Sequence, residues 1–233
     1  MSLHGVVIAH RAGNDLAAAA GASTHADVIE ADVHLFRGRL EVRHAKTIGP
    51  LPILWERWYL LDRSTPRILL RDLLPVVGES VELMLDLKGV DPRLRAAVLL
   101  GVEEWLAAGR RLWISSGAWR MVDRLREVPG IATLHTAGSS RRLNALLRRY
   151  GAGSLDGVSV DHRILSPRIV SELLRRAPNV WSWPVNDLAT AHRLEAWGVT
   201  GCITDAPSVL RPEGASPPVV IWSAHDPQTR RAP

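Results

Sequence analysis

Short apolar runs rich in β-branched residues recur along the chain, at Val6–Ala9, Val28–Val33, Val81–Leu87, Leu112–Ser115, Ile131–His135, Gly157–Val160, Val180–Trp183 and Gly201–Thr204. Runs of this length and composition read as buried strands. Between most of them lie segments with helical spacing, at about 15–26, 67–77, 92–108, 118–127, 139–150, 166–176 and 187–197. Asn14, Asp91-Pro92, Ser166-Pro167 and Asp187 are placed to cap or open these helices. Gly109, Gly130, Gly151 and Gly198 follow helical segments as stops do. Strand alternating with helix predicts a parallel sheet with crossover helices. Eight such units in about 210 residues predict an α/β fold of the (β/α)8 TIM-barrel type. An open doubly wound sheet is the alternative.

The stretch 34–66 departs from the repeat. Arg39–His44 reads as an extra extended segment, paired through a turn at Arg37-Gly38. Leu51–Leu61 carries Trp55, Trp58 and Tyr59 and reads as an aromatic insertion. These aromatics are expected to cover one side of the barrel; a hydrophobic lip for a lipid-like leaving group is the alternative. The single barrel domain is expected to span 1–210. From Arg211 the chain turns Pro-rich (Pro212, Pro217, Pro218, Pro227, Pro233), and 211–233 reads as a tail, loosely ordered or draped over the barrel.

Hydrophobic residues make up 46% of the 233 residues and charged ones 23%, which excludes disorder for the bulk of the chain. The one cysteine, Cys202, has no intrachain partner, so a disulfide-stapled scaffold is excluded. The apolar runs fall far short of the roughly 20 residues of a membrane helix, so no stable membrane insertion is expected. No secretory pattern is seen at Met1–Gly5, and a cytoplasmic location is expected. The net charge of +5 comes from 27 Arg and only two Lys, Lys46 and Lys88. The arginines are scattered or paired at expected helix ends, as at Arg141-Arg142, which suggests solvated faces; no motif supports a nucleic-acid partner.

In a parallel barrel the chemistry sits at the C-terminal ends of the strands, and polar residues gather there. His10-Arg11 follows the first strand. Glu30 and Asp32, two apart on the second, share one face. Asp86 and Lys88 repeat that spacing on the third, Ser115 ends the fourth, and Trp183, Asn186 and Asp205 follow later strands. Two carboxylates facing one interior repel unless a cation joins them. Three suit a hard divalent ion, Mg²⁺ or Ca²⁺. Solvent-facing positions on an edge strand are the alternative for Glu30 and Asp32. His10 and His44 are placed to move protons near such a site. His135 is read chiefly as packing, Asp161 and His162 as pocket or cap residues, and Trp105, Trp113, Trp119 and Trp197 as packing.

At His10-Arg11, Glu30-Ala31-Asp32, His44, Asp86-Leu87-Lys88, Trp183-Pro184-Val185-Asn186 and Gly198–Pro207 the sequence resembles the glycerophosphodiester phosphodiesterase family, over about 6–210. The resemblance implies a TIM barrel that hydrolyses a small-molecule glycerophosphodiester to an alcohol and glycerol 3-phosphate with a divalent metal. It implies Glu30, Asp32 and Asp86 as metal ligands, His10 and His44 as the general acid/base pair, Arg11 and Lys88 as phosphate-holding groups, and Trp183 as a wall of the alcohol pocket. The chain departs from the family pattern in four places. Ala12 replaces a glycine, a first-loop segment is missing with Asn14 its only remnant, Ala45 replaces an aspartate after the second histidine, and Asp86 replaces a glutamate. A barrel that binds an anionic metabolite without efficient turnover, and a phosphodiesterase acting on lysophospholipids, are the alternative readings.

Overall fold

The computed structural model of the chain describes residues 3–49, 51–56, 58–62 and 65–212. The expected tail beyond Pro212 lies outside them. In chain order the strands are β1 (Val6–Ala9), β2 (Val28–Phe36), β3 (Arg39–Val42), β4 (Lys46–Thr47), β5 (Leu54–Glu56), β6 (Tyr59–Leu60), β7 (Ile68–Leu69), β8 (Glu82–Leu87), β9 (Leu112–Ser116), β10 (Ile131–Ala137), β11 (Gly157–Asp161), β12 (Asn179–Trp183) and β13 (Gly201–Thr204). The helices are α1 (Leu16–Ala22), α2 (Leu70–Leu73), α3 (Pro92–Gly101), α4 (Glu103–Ala107), α5 (Trp119–Asp123), α6 (Ser140–Arg149), α7 (Pro167–Leu174), α8 (Leu188–Ala196) and α9 (Pro207–Leu210).

The parallel strands run β1-β13-β12-β11-β10-β9-β8-β2, and β2 pairs back with β1. The ring therefore closes with eight strands, all at the expected runs, and the open-sheet alternative is set aside. Pleating decides which side chains enter it. Val6, Ile8, Val28, Met84, Trp113, Ala132, Leu134, Trp181 and Ile203 form the inner cluster. Their neighbours Ile29, Ala31, Leu83, Leu85, Val158 and Val180 face outward against the helices. Trp113 and Trp181 meet inside at 4.5 Å between ring centroids, and the Trp113 indole N–H donates to Glu82 Oε2 at 2.7 Å. The barrel interior is thus a packed apolar core.

Helix starts follow the expected signals, with one shift. Asp91, Ser166 and Asp187 cap α3, α7 and α8. At α1 the cap is Asp15, whose carboxylate accepts from Ala18 N at 2.8 Å, not Asn14. Asn14 is occupied elsewhere, as described below.

The 34–66 stretch builds two additions. β3 pairs antiparallel with β2, and β7 with β3. β4, β5 and β6 form a separate small antiparallel sheet. Two of its three aromatics do not cover the barrel as expected: Trp58 is 96% exposed, with Tyr59 and Leu60 exposed beside it, whereas Trp55 is partly buried. The short hairpin strands hold the exposed side chains clear of the body of the protein. Below them, buried Glu41 accepts from Arg43 Nε at 2.7 Å and from Arg67 Nη1 at 3.0 Å. Removing one member of a buried ion cluster leaves the others uncompensated. Glu41→Ala is therefore expected to lower unfolding free energy by about 3–5 kcal/mol in a denaturant titration; a loss near zero would show that solvent reaches the two guanidinium groups.

Candidate active site

The alternation that fills the lower barrel with apolar side chains continues upward with polar ones. Above Val28 on β2 come Glu30 and Asp32; above Met84 on β8 come Asp86 and Lys88; above Trp113 on β9 comes Ser115. His10 follows β1, Trp183 ends β12, and Asp205 follows β13. His10, Arg11, Glu30, Asp86, Lys88, Ser115, Trp183 and Asp205 line one cavity of about 860 Å³ at this end.

Glu30, Asp32 and Asp86 each present an oxygen within 4.8 Å of the other two. Asp32 and Asp86 are register neighbours on β2 and β8. Glu30 and Asp32 are buried. Burial, with Asp32 and Asp86 alongside, pushes the Glu30 carboxyl well above its usual range. Burial acts the same way on Asp32, but Lys88 and the Asn14 amide outweigh it and its pKa falls. Lys88 Nζ lies 2.6 Å from Asp32 Oδ1 and also contacts Asp86. The two aspartates and Glu30 overcome the burial of its ammonium and raise its pKa.

Each carboxylate has a protein group that holds it. Glu30 Oε2 accepts from Arg11 N at 2.6 Å, which requires Arg11 to adopt the left-handed backbone, φ 55°. Asn14 grips Asp32 twice: its amide donates to Oδ2 at 2.8 Å and its carbonyl accepts from Asp32 N at 2.9 Å. That grip needs the turn to lie flat on β2, and Gly13 allows it, since a Cβ there would sit 2.6 Å from the Ala31 Cβ. Ser115 Oγ donates to Asp86 Oδ1 at 2.8 Å. Three carboxylates, two of them buried, with no thiolate fit a hard divalent cation.

The histidines flank this cluster. His10 Nδ1 donates to Asp205 Oδ1 at 2.7 Å, and Asn186 holds Asp205 through Nδ2 at 3.2 Å and by accepting from Asp205 N at 2.9 Å. Burial lowers the His10 pKa below 6.5; the Asp205 hydrogen bond opposes this and the Arg11 charge adds to it. His44 is reached by another route. Arg43 N donates to Asp32 O at 2.9 Å, and the His44 ring lies near enough for its charge to act on Asp32, outside the residues that line the cavity. The His44 Nδ1 donates to Glu56 Oε1 at 2.9 Å. Arg11 Nε lies 3.6 Å from Asp32 Oδ2. Trp183 reaches the cavity beside Gly138, where a Cβ would come 3.1 Å from its ring.

The cavity wall includes groups that the sequence pattern assigned elsewhere. Lys46 and Arg142 line it, although Arg142 belongs to a pair read as solvated helix surface. Each stands over an indole, Lys46 over Trp55 at 5.7 Å and Arg142 over Trp119 at 4.5 Å. Asp161 instead caps the following turn and pairs with Arg163. His135 points outward, where its Nε2 donates to Asp123 Oδ1 at 2.8 Å and its ring packs edge-on against Tyr150. Trp105 and Trp113 are buried, and Trp119 and Trp197 pack against the core, as expected of them.

No helix among the described residues is long and apolar enough to cross a membrane. Among solved structures, a phosphodiesterase from Oleispira antarctica in complex with the product sn-glycerol-3-phosphate superposes with a TM-score of 0.70, 18% identity, and 88% of this chain and 94% of that one covered. A glycerophosphodiester phosphodiesterase from Parabacteroides distasonis superposes with a TM-score of 0.66, 21% identity, and coverage of 89% and 95%. At these identities the likeness is one of fold. YhdW of Bacillus subtilis, a protein named for glycerophosphodiester phosphodiesterase activity, is 28% identical over 103 residues, a stretch spanning 43% of this chain and 42% of the relative. The sequence profile of the glycerophosphoryl diester phosphodiesterase family matches residues 74–209, which hold Asp86, Lys88 and Trp183; His10, Arg11, Glu30, Asp32 and His44 precede that stretch and meet it in the folded barrel. By that match over more than half of its length, the chain belongs to the glycerophosphoryl diester phosphodiesterase family.

Proposed function

We propose that the protein hydrolyses a glycerophosphodiester to an alcohol and glycerol 3-phosphate. The observation that carries this reading is the convergence of Glu30, Asp32 and Asp86 at the barrel mouth. Glu30, Asp32 and Asp86 hold a divalent cation, Mg²⁺ or Ca²⁺; when bound it offsets the charge that builds on phosphate oxygen. Arg11 and Lys88 hold the phosphate by charge and direction. His10 is the base. Its Nδ1 proton is engaged by Asp205 and its pKa lies below that of a free imidazole, so at neutral pH Nε2 offers a lone pair. It takes the proton from the attacking hydroxyl, either water or a neighbouring hydroxyl of the substrate. His44 is the acid and returns a proton to the departing alkoxide as the phosphorus–oxygen bond breaks. Trp183 lines the pocket for the alcohol.

A metal-stripped preparation given glycerophosphocholine is expected to release choline when Mg²⁺ or Ca²⁺ is restored and none under excess EDTA. Tight binding of glycerol 3-phosphate without turnover under any metal would instead favour the anion-binding barrel. The lysophospholipid reading gains from the exposed Trp58, Tyr59 and Leu60, which stand on the sheet that also carries the cavity residue Lys46. Including a lysophospholipid in the same assay separates the two substrates.

A further inference from the structure

The residue that follows His44 is Ala45, which is buried and carries no polar group. The chain beside His44 nevertheless finds a carboxylate, and it comes from across a hairpin. β4 and β5 pair with Lys46 opposite Trp55 and Thr47 opposite Leu54. Continuing that antiparallel register by one position places Glu56 opposite Ala45, next to His44. There its Oε1 accepts the His44 Nδ1–H at 2.9 Å. Both side chains are only partly exposed, so the contact is not a fully solvated surface pair.

The backbone on either side of His44 is fixed independently. Arg43 donates to Asp32 O through its backbone N–H and to Ala45 O through its guanidinium group. Glu41 clamps that guanidinium from below. The main chain is thus set without Glu56, and what Glu56 adds is the orientation and tautomer of the ring. A carboxylate accepts but does not donate, so it keeps a proton on Nδ1 and leaves Nε2 for exchange with substrate; as an acid the ring is the imidazolium, which gives up its Nε2 proton and is left as the neutral Nδ1–H tautomer.

We propose that Glu56 is the positioning residue for His44, the carboxylate that turns the His44 ring and dedicates its Nε2 to proton transfer to the leaving alcohol. The transfer rests on the activity proposed above; the ring tautomer does not. The small β4–β5–β6 sheet is on this account part of the proton-transfer apparatus.

The test compares wild type, Glu56→Ala, Glu56→Gln, His44→Ala and the Glu56→Ala/His44→Ala pair, with Mg²⁺, on two substrates. Glycerophosphocholine expels an alkoxide and needs a proton. Glycerol 3-(4-nitrophenyl phosphate) expels a stable phenolate and does not. Glu56→Ala is expected to lower kcat on the choline ester about 10–100-fold, part of the 10²–10⁴-fold that a general acid supplies. KM, and turnover of the nitrophenyl ester, should change less than about threefold. Glu56→Gln, which keeps an acceptor oxygen, should recover most of the loss. The double variant should be no slower than His44→Ala, because residues that act as one unit are not additive. A general structural role predicts equal losses on both esters, and either that result or multiplying losses in the double variant overturns the proposal.

Nitrogen NMR of the His44 ring gives a readout that needs no turnover. At a pH where the ring is neutral, wild type should show the Nδ1–H tautomer, and Glu56→Ala should lose it. If both proteins show the same tautomer the proposal fails, whatever the rates. If the tautomer switches and no ester is hydrolysed by wild type, the positioning stands and the hydrolytic reading is what fails.

Discussion

Asp32→Asn protein is expected to fold normally and to lose phosphodiester hydrolysis by about 10³-fold, since a bound cation contributes several kcal/mol to the transition state and each 1.36 kcal/mol is tenfold in rate. Asparagine has the volume of aspartate but one carbonyl oxygen; the Asn14 amide bonds Oδ2 and Lys88 faces Oδ1, so one of the two keeps an acceptor and the other meets the amide NH2. What disappears is one of three anionic donors and half of the charge that Lys88 joins to Asp86. Two measurements separate loss of cation from loss of shape. A thermal melt should shift little, and the Mg²⁺ concentration giving half-maximal rate should rise steeply. Wild-type activity in the Asp32→Asn protein, or in native protein after exhaustive EDTA treatment, would remove the carboxylate cluster from the reaction.

The second large effect is expected at the histidines. His10→Ala and His44→Ala should each cost about 10²–10⁴-fold in kcat, the range for one positioned acid or base. Their pH behaviour should differ in a way that identifies His10. A base acts deprotonated, so the rate should rise with pH as His10 loses its proton. Burial and Arg11 bring that step below 6.5 despite Asp205, so the rise should be complete at a lower pH than a free imidazole would give. Asp205→Asn removes the carboxylate that opposes the shift and should move the rise lower still, while His10→Ala should abolish this limb. A limb that stays in place in His10→Ala would assign it to another group.

Much of the site could be read along the chain because it obeys local rules. The eight barrel strands are apolar and β-branched on both faces, and in such runs a Glu-x-Asp or Asp-x-Lys insertion stands out. Period-two alternation then puts both members inside. Residues that act across the fold escaped that reading. Asn14 and Asp15 are adjacent and equally good caps by type. Only the approach of the first turn to β2, where Gly13 nearly touches Ala31, gives the cap to Asp15 and leaves Asn14 for Asp32. Glu56 is twelve residues from His44, and their meeting depends on the register of two short antiparallel strands, which sequence period alone does not set. The exposed aromatics followed the same logic. Tryptophan and tyrosine are usually buried in part, but Trp58 stands in the turn between two strands of three and two residues, where the side chain is left in solvent.

The tryptophan pair inside the ring and the solvent-exposed Trp58 give the molecule two separate optical reporters. Trp113 comes from β9 and Trp181 from β12, with β10 and β11 between them. Their indoles, tilted by 48° at 4.5 Å, are close enough for their electronic transitions to couple, and the resulting split circular-dichroism band exists only while the ring is closed. Trp58 stands in solvent on the accessory sheet and meets a dissolved quencher freely. Loss of the coupled band therefore tracks opening of the barrel, while the iodide-quenchable emission that disappears in Trp58→Phe tracks events at the sheet that carries Glu56.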